Sequence, residues 1–325
     1  MRASPSISLP PRAGLLALVG LCGLTACTTP FDPYNRLTGF RVLAIVADPP
    51  TPAPQESTTL SALSYLPEAG VGTDLPGITY EWSWCPFPGT QNAGHPCDIT
   101  PEQVTQLAAA GINLPPLNLG TGPTAKLVNS VDPAALAQLC KGVPGIEAPV
   151  ALDCQGGFPV QVKLTARTAS DAIVTVAEVR LRFDPASTAN TPPKVEGLSA
   201  VINDVEIPIG PQPMATLPRN KDTVIKAVVS PAASEAYMGR DDNMQPALLH
   251  ERLSFTWFVE TGDTDQERTG YLEGAGTLER NLRNKWNPGL SKDYPKNQAR
   301  LVVVARDNRG GVGWRDGLVL LEAQP

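Results

Sequence analysis

Few residues in this chain have the types and spacing that catalysis needs. Its two histidines, His95 and His250, are far apart. His250-Glu251 opens like the metal-binding helix of a zinc protease, but the second histidine would fall at position 254, which is Ser254. The pair also precedes a strand-like run, Leu253 to Val259. His95 stands among Gly94, Pro96 and Cys97, a loop setting with no second ligand beside it. There is no Gly-x-Ser-x-Gly elbow and no phosphate-binding P-loop, and Gly274-Ala-Gly276 lacks the third glycine of a dinucleotide loop. Two carboxylates suffice to hydrolyse a glycoside, yet among 32 acids some pair is always at hand. A hydrolase with an unrecognised carboxylate pair is therefore the weakest expectation, and the chain reads as a non-enzyme that needs no cofactor.

Calcium takes six to eight oxygen ligands. Asp241-Asp242-Asn243 and the run Glu260, Asp263, Asp265 are the acidic loops that come nearest to offering them, without EF-hand spacing. The five tryptophans raise the question of a carbohydrate platform. Trp82, Trp84 and Trp257 sit in alternating apolar runs and fit a core. Trp286, in the polar stretch Asn284-Lys-Trp-Asn-Pro288, is the one expected to be exposed, and Trp314 falls on the last strand. A calcium- or carbohydrate-linked adhesion module follows as the alternative to a plain binding or scaffolding role.

The most specific signal lies at the N-terminus. Arg2 and Arg12 stand in a stretch without acids, and the apolar run Leu15 to Leu24 follows, too short to span a bilayer as a helix. It ends in Leu24-Thr25-Ala26-Cys27, which resembles the lipobox of bacterial lipoproteins. The resemblance implies cleavage before Cys27, lipid on its sulfur and a membrane anchor, since each buried methylene of an acyl chain contributes about 0.8 kcal/mol. Thr28 at the next position, where aspartate marks inner-membrane retention, points to the outer membrane as the address.

Loss of residues 1–26 removes two arginines and no acid, moving the formal charge from −6 to −8. An acidic chain with no basic cluster is a poor partner for nucleic acid. The 34 prolines and 28 glycines, with few helical patterns, predict an all-β, turn-rich fold. With Cys22 cleaved away and Cys27 lipidated, Cys85, Cys97, Cys140 and Cys154 remain. An even number in an exported chain reads as two disulfides. Of the three possible pairings, Cys85–Cys97 and Cys140–Cys154 close short loops beside strand ends. Zinc would need closer spacing.

Those groups must be positioned by strands. Residues 27–38 form a tether. Phe40 to Ala47, Thr58 to Tyr65 and Ile78 to Cys85 read as strands, the last with Ile78, Tyr80, Trp82 and Trp84 alternating with polar residues. An insertion, 86–157, has the four cysteines inside it or at its ends and holds two short helices. One opens at Thr100-Pro101-Glu102-Gln103, an N-cap with a proline at the first turn, and the other at Asp132-Pro133. A hairpin from Val160 to Phe183 completes a first domain, 39–184. Residues 185–193 are a linker by composition, and a second domain, 194–325, begins with a strand from Lys194 to Ile209.

The two domains look like copies. A shift of 139 residues lays Leu164-Thr-Ala-Arg167 on Val303-Val-Ala-Arg306, Ile173 on Val312 and Leu181 on Leu320. A proline-ended first strand, a Ser-Thr-Thr-Leu-Ser-Ala second strand, a tryptophan in the third and a closing hairpin resemble immunoglobulin-like sandwiches of the PKD and cadherin-like groups. The expected architecture is thus all-β, with two immunoglobulin-like sandwiches in tandem and a disulfide-tied insertion in the first. The opening Arg-Val-Leu-Ala-Ile-Val-Ala-Asp-Pro-Pro after a lipobox is also similar to uncharacterised lipoproteins of high-GC Gram-negative bacteria, a likeness that carries no activity with it.

Overall fold

Tyr80, Trp82 and Trp84 are buried while Thr79 and Glu81 face solvent, so the period-two pattern becomes a strand with one wet face. The structure is a computed structural model. It describes residues 33–86, 97, 99–109, 114–130, 132, 156–185, 187–241, 243, 245–272 and 277–323. Its strands begin with β1 (Arg41–Asp48), β2 (Ser57–Leu66), β3 (Gly70–Gly72) and β4 (Thr79–Cys85). After helix α1 (Pro101–Ala109) come β5 (Asn118–Thr121), β6 (Thr124–Val128), β7 (Phe158–Arg167) and β8 (Ala172–Leu181). One sheet joins β1, β2 and β3, with β6 also on β2; the facing sheet runs β5-β4-β7-β8.

α1 starts as its residues dictate. The Thr100 amide donates to the Gln103 side chain at 2.8 Å, and Thr100 Oγ1 accepts from the Gln103 amide at 3.3 Å. The second expected helix, from Asp132, lies outside the described residues except for Asp132 itself. The stretch read as one excursion, 86–157, is divided by β5 and β6. These strands are short and largely polar, which hid them from a search for apolar alternation.

A second sandwich follows. Its strands are β9 (Val195–Ile202), β10 (Val205–Ile209), β11 (Thr216–Leu217), β12 (Thr223–Val229), β13 (Ala236–Arg240), β14 (Pro246–His250), β15 (Leu253–Val259), β16 (Asp263–Thr264) and β17 (Arg268–Tyr271). After the short helix α2 (Leu278–Asn281) come β18 (Arg283–Asn287), β19 (Gln298–Arg306) and β20 (Val312–Leu321). The sheets run β10-β9-β12-β18-β16 and β11-β20-β19-β15-β17, and β13 pairs with β14 as a separate hairpin. The single strand expected from Lys194 to Ile209 is instead the β9–β10 hairpin. Asn203 and Asp204, at φ 50° and 62°, turn the chain there as a two-residue connection requires.

Both sandwiches use one strand order. Sheet β1-β2-β6 corresponds to β9-β12-β18, and β5-β4-β7-β8 to β17-β15-β19-β20. This is the immunoglobulin-like arrangement, with β11 running parallel to the last strand. Trp82 lies opposite Leu164, and Trp257 opposite Val303, the residue reached from Leu164 by the 139-residue shift. The shift fails by one in the last strand. Arg167 pairs with Ala172 but Arg306 pairs with Val312, so the second turn is one residue longer. The true counterpart of Leu181 is therefore Leu321. A strand displaced by one residue would turn its core face outward, and both Leu181 and Leu321 are buried.

Each sandwich has its own core, one around Trp82, Leu60 and Leu164, the other around Trp257, Trp286 and Leu301. A third core joins them. Leu43, Leu63 and Tyr65 from β1 and β2 pack against Phe258, Val302 and Val304 from β15 and β19. Those central strands are apolar on both faces, because both faces are covered. Residues from Asn35 to Pro325 accordingly form one unit. The connecting stretch is pinned as well. The Asn190 amide donates to Thr51 Oγ1 at 2.9 Å, and its side chain donates to Asp307 at 3.1 Å. A Cβ at Gly313 would overlap the Pro193 carbonyl oxygen, which is why that position takes glycine.

Candidate functional site

At the C-terminal end of β15 the chain leaves the second core at Glu260, and β2 of the first sandwich delivers Tyr65 to the same place. The Tyr65 hydroxyl donates to Glu260 Oε1 at 3.0 Å. Glu260 Oε2 accepts from the Tyr294 hydroxyl at 3.1 Å and from the Arg300 amide at 2.9 Å. Arg300 also pairs with Asp316. Burial, and then the Glu260 charge, push both tyrosine hydroxyls well above their ordinary range, so they remain donors. Tyr65, Glu260 and Tyr294 line a cleft of about 400 Å³, a volume within the range of small-molecule sites.

The cleft wall is mixed in charge. Arg36 donates to the Gly262 carbonyl at 2.9 Å and meets Asp263 at 2.5 Å. Lys296 lies 5.7 Å from the centre of the Tyr294 ring, a cation–π contact. Asp293 completes the rim. Gly262 is held at φ 70°, where an added Cβ would overlap the Asn287 carbonyl oxygen. The arrangement offers hydroxyls, one guanidinium, one ammonium and carboxylates to a polar ligand. Its central carboxylate already holds three hydrogen bonds, which is no setting for a free general base.

A second polar cluster lies at the other end of β15 and β19. Glu251 is fully buried. It accepts from Arg309 Nη1 at 3.1 Å and from the Glu235 amide at 3.3 Å. Asp307 accepts from the Arg309 and Gly311 amides, each at 2.8 Å. Arg309 also donates to the Thr188 carbonyl at 2.8 Å and stacks on the Tyr237 ring at 4.8 Å. Burial, and then the Asp307 charge, push the Glu251 carboxyl up to about 7. Burial raises the Asp307 carboxyl too. This cluster ties the connecting stretch, the β19–β20 turn and the β13–β14 hairpin together.

The singled-out residues fall as follows. Cys85 is bonded to Cys97. Cys27, Cys140, Cys154, His95 and Asp242 lie outside the described residues. His250 ends strand β14, so His250-Glu251 starts no helix. Asp241 caps its own turn, accepting from the Asn243 and Gln245 amides at 2.9 Å. Among the described residues no group of three or more His, Cys, Asp or Glu could hold a metal ion. Trp286 is not exposed: β18 alternates, with Asn284 and Trp286 inward, and the indole donates to the Thr261 carbonyl at 2.8 Å. Trp82, Trp84 and Trp257 are buried as expected, and Trp314 packs against the third core. Tyr65, Tyr294 and Arg309 were not legible as site residues, because their partners are brought together only by the packing of sheets.

No protein-family model and no curated protein matches this chain. Among solved structures, a chimeric titin Z1Z2-Z1Z2 tandem is 11% identical over 87% of this chain and 100% of its own, with a TM-score of 0.25. The eight N-terminal Ig domains of Down syndrome cell adhesion molecule are 11% identical over 88% of this chain and 25% of theirs, with a TM-score of 0.20. The Yersinia pseudotuberculosis adhesin InvE is 10% identical over 86% of this chain and 58% of its own, with a TM-score of 0.19. Superposition at that level carries no argument, and the immunoglobulin-like assignment rests on the strand order.

Proposed function

We propose that this chain is a lipid-anchored protein of the bacterial cell envelope, held at the outer membrane through Cys27, and that it binds or scaffolds without catalysis. Two immunoglobulin-like domains, 39–184 and 194–325, form its rigid body. The observation that carries the reading is the third core. Tandem sandwiches buried against each other through Phe258, Val302 and Val304 present their outer faces and loops at fixed separations, as a scaffold must. The carboxylates of the cleft and of the buried cluster support the non-catalytic part, because Glu260, Glu251 and Asp307 hold elements together.

The test is membrane fractionation of cells producing the natural chain and Cys27→Ala, with an alkyne-bearing palmitate fed to both. The anchored reading expects label and membrane association in the first and neither in the second. Cys27→Ala protein that stays wholly with membranes would refute the anchor. Protease shaving of intact cells then separates a surface role from a periplasmic one.

A second reading, a carbohydrate-linked adhesion module, has the cleft in its favour, with two tyrosine rings beside mixed polar groups. It expects soluble oligosaccharides to raise the melting temperature and Tyr294→Ala to abolish that shift.

A further inference from the structure

The last strand of the first sandwich, β8, is a sheet edge, whereas β20 of the second is flanked by β11, so the outer sides of the two last strands are treated differently. In the hairpin before β8 the Thr168 amide donates to the Asp171 carbonyl at 2.9 Å, which makes 168 and 171 a hydrogen-bonded pair. Hydrogen-bonded and non-bonded pairs alternate along an antiparallel ladder, and the β7–β8 register has no shift. Ile173, Thr175 and Ala177 therefore bond to β7. Ala172, Val174, Val176 and Glu178 turn their amide and carbonyl groups outward. Two contacts agree with this phase: the Arg182 amide donates outward to the Pro52 carbonyl at 3.0 Å, and Gly310 approaches the Glu178 carbonyl.

On β20 the outward amides of Leu318, Leu320 and Glu322, which match Glu178, Arg180 and Arg182 of β8, are all taken, by Gly210, Ala215 and Leu217. The rest of that edge carries Arg315 and Asp316, charges of the kind that deter strand addition. On β8 the segment Ala172-Ile-Val-Thr-Val-Ala177 has no charge, proline or glycine. No group among the described residues bonds the outward amides of Ala172, Val174 or Val176. Val174 is 55% exposed on the outer face, while Ile173 and Ala177 pack inward.

We infer that the β8 edge pairs with the same edge of a second copy of this chain. Antiparallel addition about a two-fold axis at Val174 sets Val174 opposite its own copy and Ala172 opposite Val176. All of these residues point their backbone groups outward, so each pair closes as a hydrogen-bonded pair. From 172 to 176 the outer face then carries only apolar cross-strand pairs, and beyond them no acid faces an acid, because Asp171 falls towards Ala177 and Ser170 towards Glu178. The strand is complementary to itself in hydrogen bonding and in charge, the condition for an isologous interface. The joined sheet runs through β5-β4-β7-β8 into its copy. This rests on the edge alone and holds whether or not Cys27 is lipidated.

Sedimentation equilibrium of residues 35–325 up to about 100 µM tests it. Association to a dimer is expected. Val174→Pro removes an outward amide at the axis without touching the β7 ladder, and Val174→Lys sets two like charges opposite each other. Each is expected to weaken association at least about tenfold, with circular dichroism and melting temperature close to the natural chain's. Val205→Lys, which charges an exposed apolar position in the other sandwich, should leave association unchanged. A chain that stays monomeric throughout the range overturns the proposal, even if it adds a synthetic strand peptide. So does association that survives both Val174 variants, or that Val205→Lys abolishes equally.

Discussion

The first sandwich covers its last strand at Arg182, and the second covers its own at Leu318, Leu320 and Glu322. Both carry a buried tryptophan at the same place on the central strand, opposite matching residues of the neighbouring strand. What they share is set by inward-facing apolar residues, which fix strand order and register. Where they differ, short segments decide, as β11 and the Gly210 bridge do beside the last strand of the second sandwich. One topology thus tolerates different edges, because edges are closed by backbone hydrogen bonds that ask little of side chains.

Breaking the contact between the two sandwiches should have the largest effect. Val302 is fully buried in the third core, and Val302→Asp would place an uncompensated charge there, at a cost of more than about 4 kcal/mol. Urea unfolding followed by circular dichroism should then show two steps instead of one. Trp82→Ala and Trp257→Ala sharpen the likeness instead. Each empties an equivalent core position and should lower stability by about 3 kcal/mol or more, within the same single transition.

Smaller effects separate joint from sandwich. Tyr65→Phe and Tyr294→Phe each remove one hydrogen bond to Glu260, of about 1.5 kcal/mol, but only Tyr65 reaches across the joint. Tyr65→Phe should therefore speed amide exchange at β2 and β15 together, and Tyr294→Phe at the second sandwich alone. The least effect is pH-dependent. The folded chain holds the Glu251 proton up to about 7, against 4.5 ordinarily. Stability from this group is full below the unfolded value and falls as pH rises towards 7. Glu251→Gln should flatten the decline in urea midpoint between about pH 5 and about pH 7.5. Burial raises the Asp307 carboxyl as well, so its contribution has the same sign.

Much of the fold was legible because its strands alternate. The central strands with Trp82 and Trp257 and both closing hairpins stand where their residue patterns placed them. β18 was not legible, since Arg-Asn-Lys-Trp-Asn shows one apolar residue and hides a buried asparagine. Alternation places strands along the chain but is silent on which sheets will face each other. The joint did leave a mark: Leu301-Val-Val-Val-Ala305 is apolar without alternation, the signature of a strand covered on both faces. Of the cleft only the acidic run at Glu260 and Asp263 showed, because Tyr65 and Tyr294 are isolated in sequence and meet Glu260 only after the sandwiches pack.

The most direct test of the joined body is calorimetry of residues 35–325. One endotherm, with a calorimetric enthalpy equal to its van't Hoff enthalpy, is expected when the third core couples the sandwiches. Two resolved endotherms in the natural chain would mean that the sandwiches unfold independently, and would contradict the account.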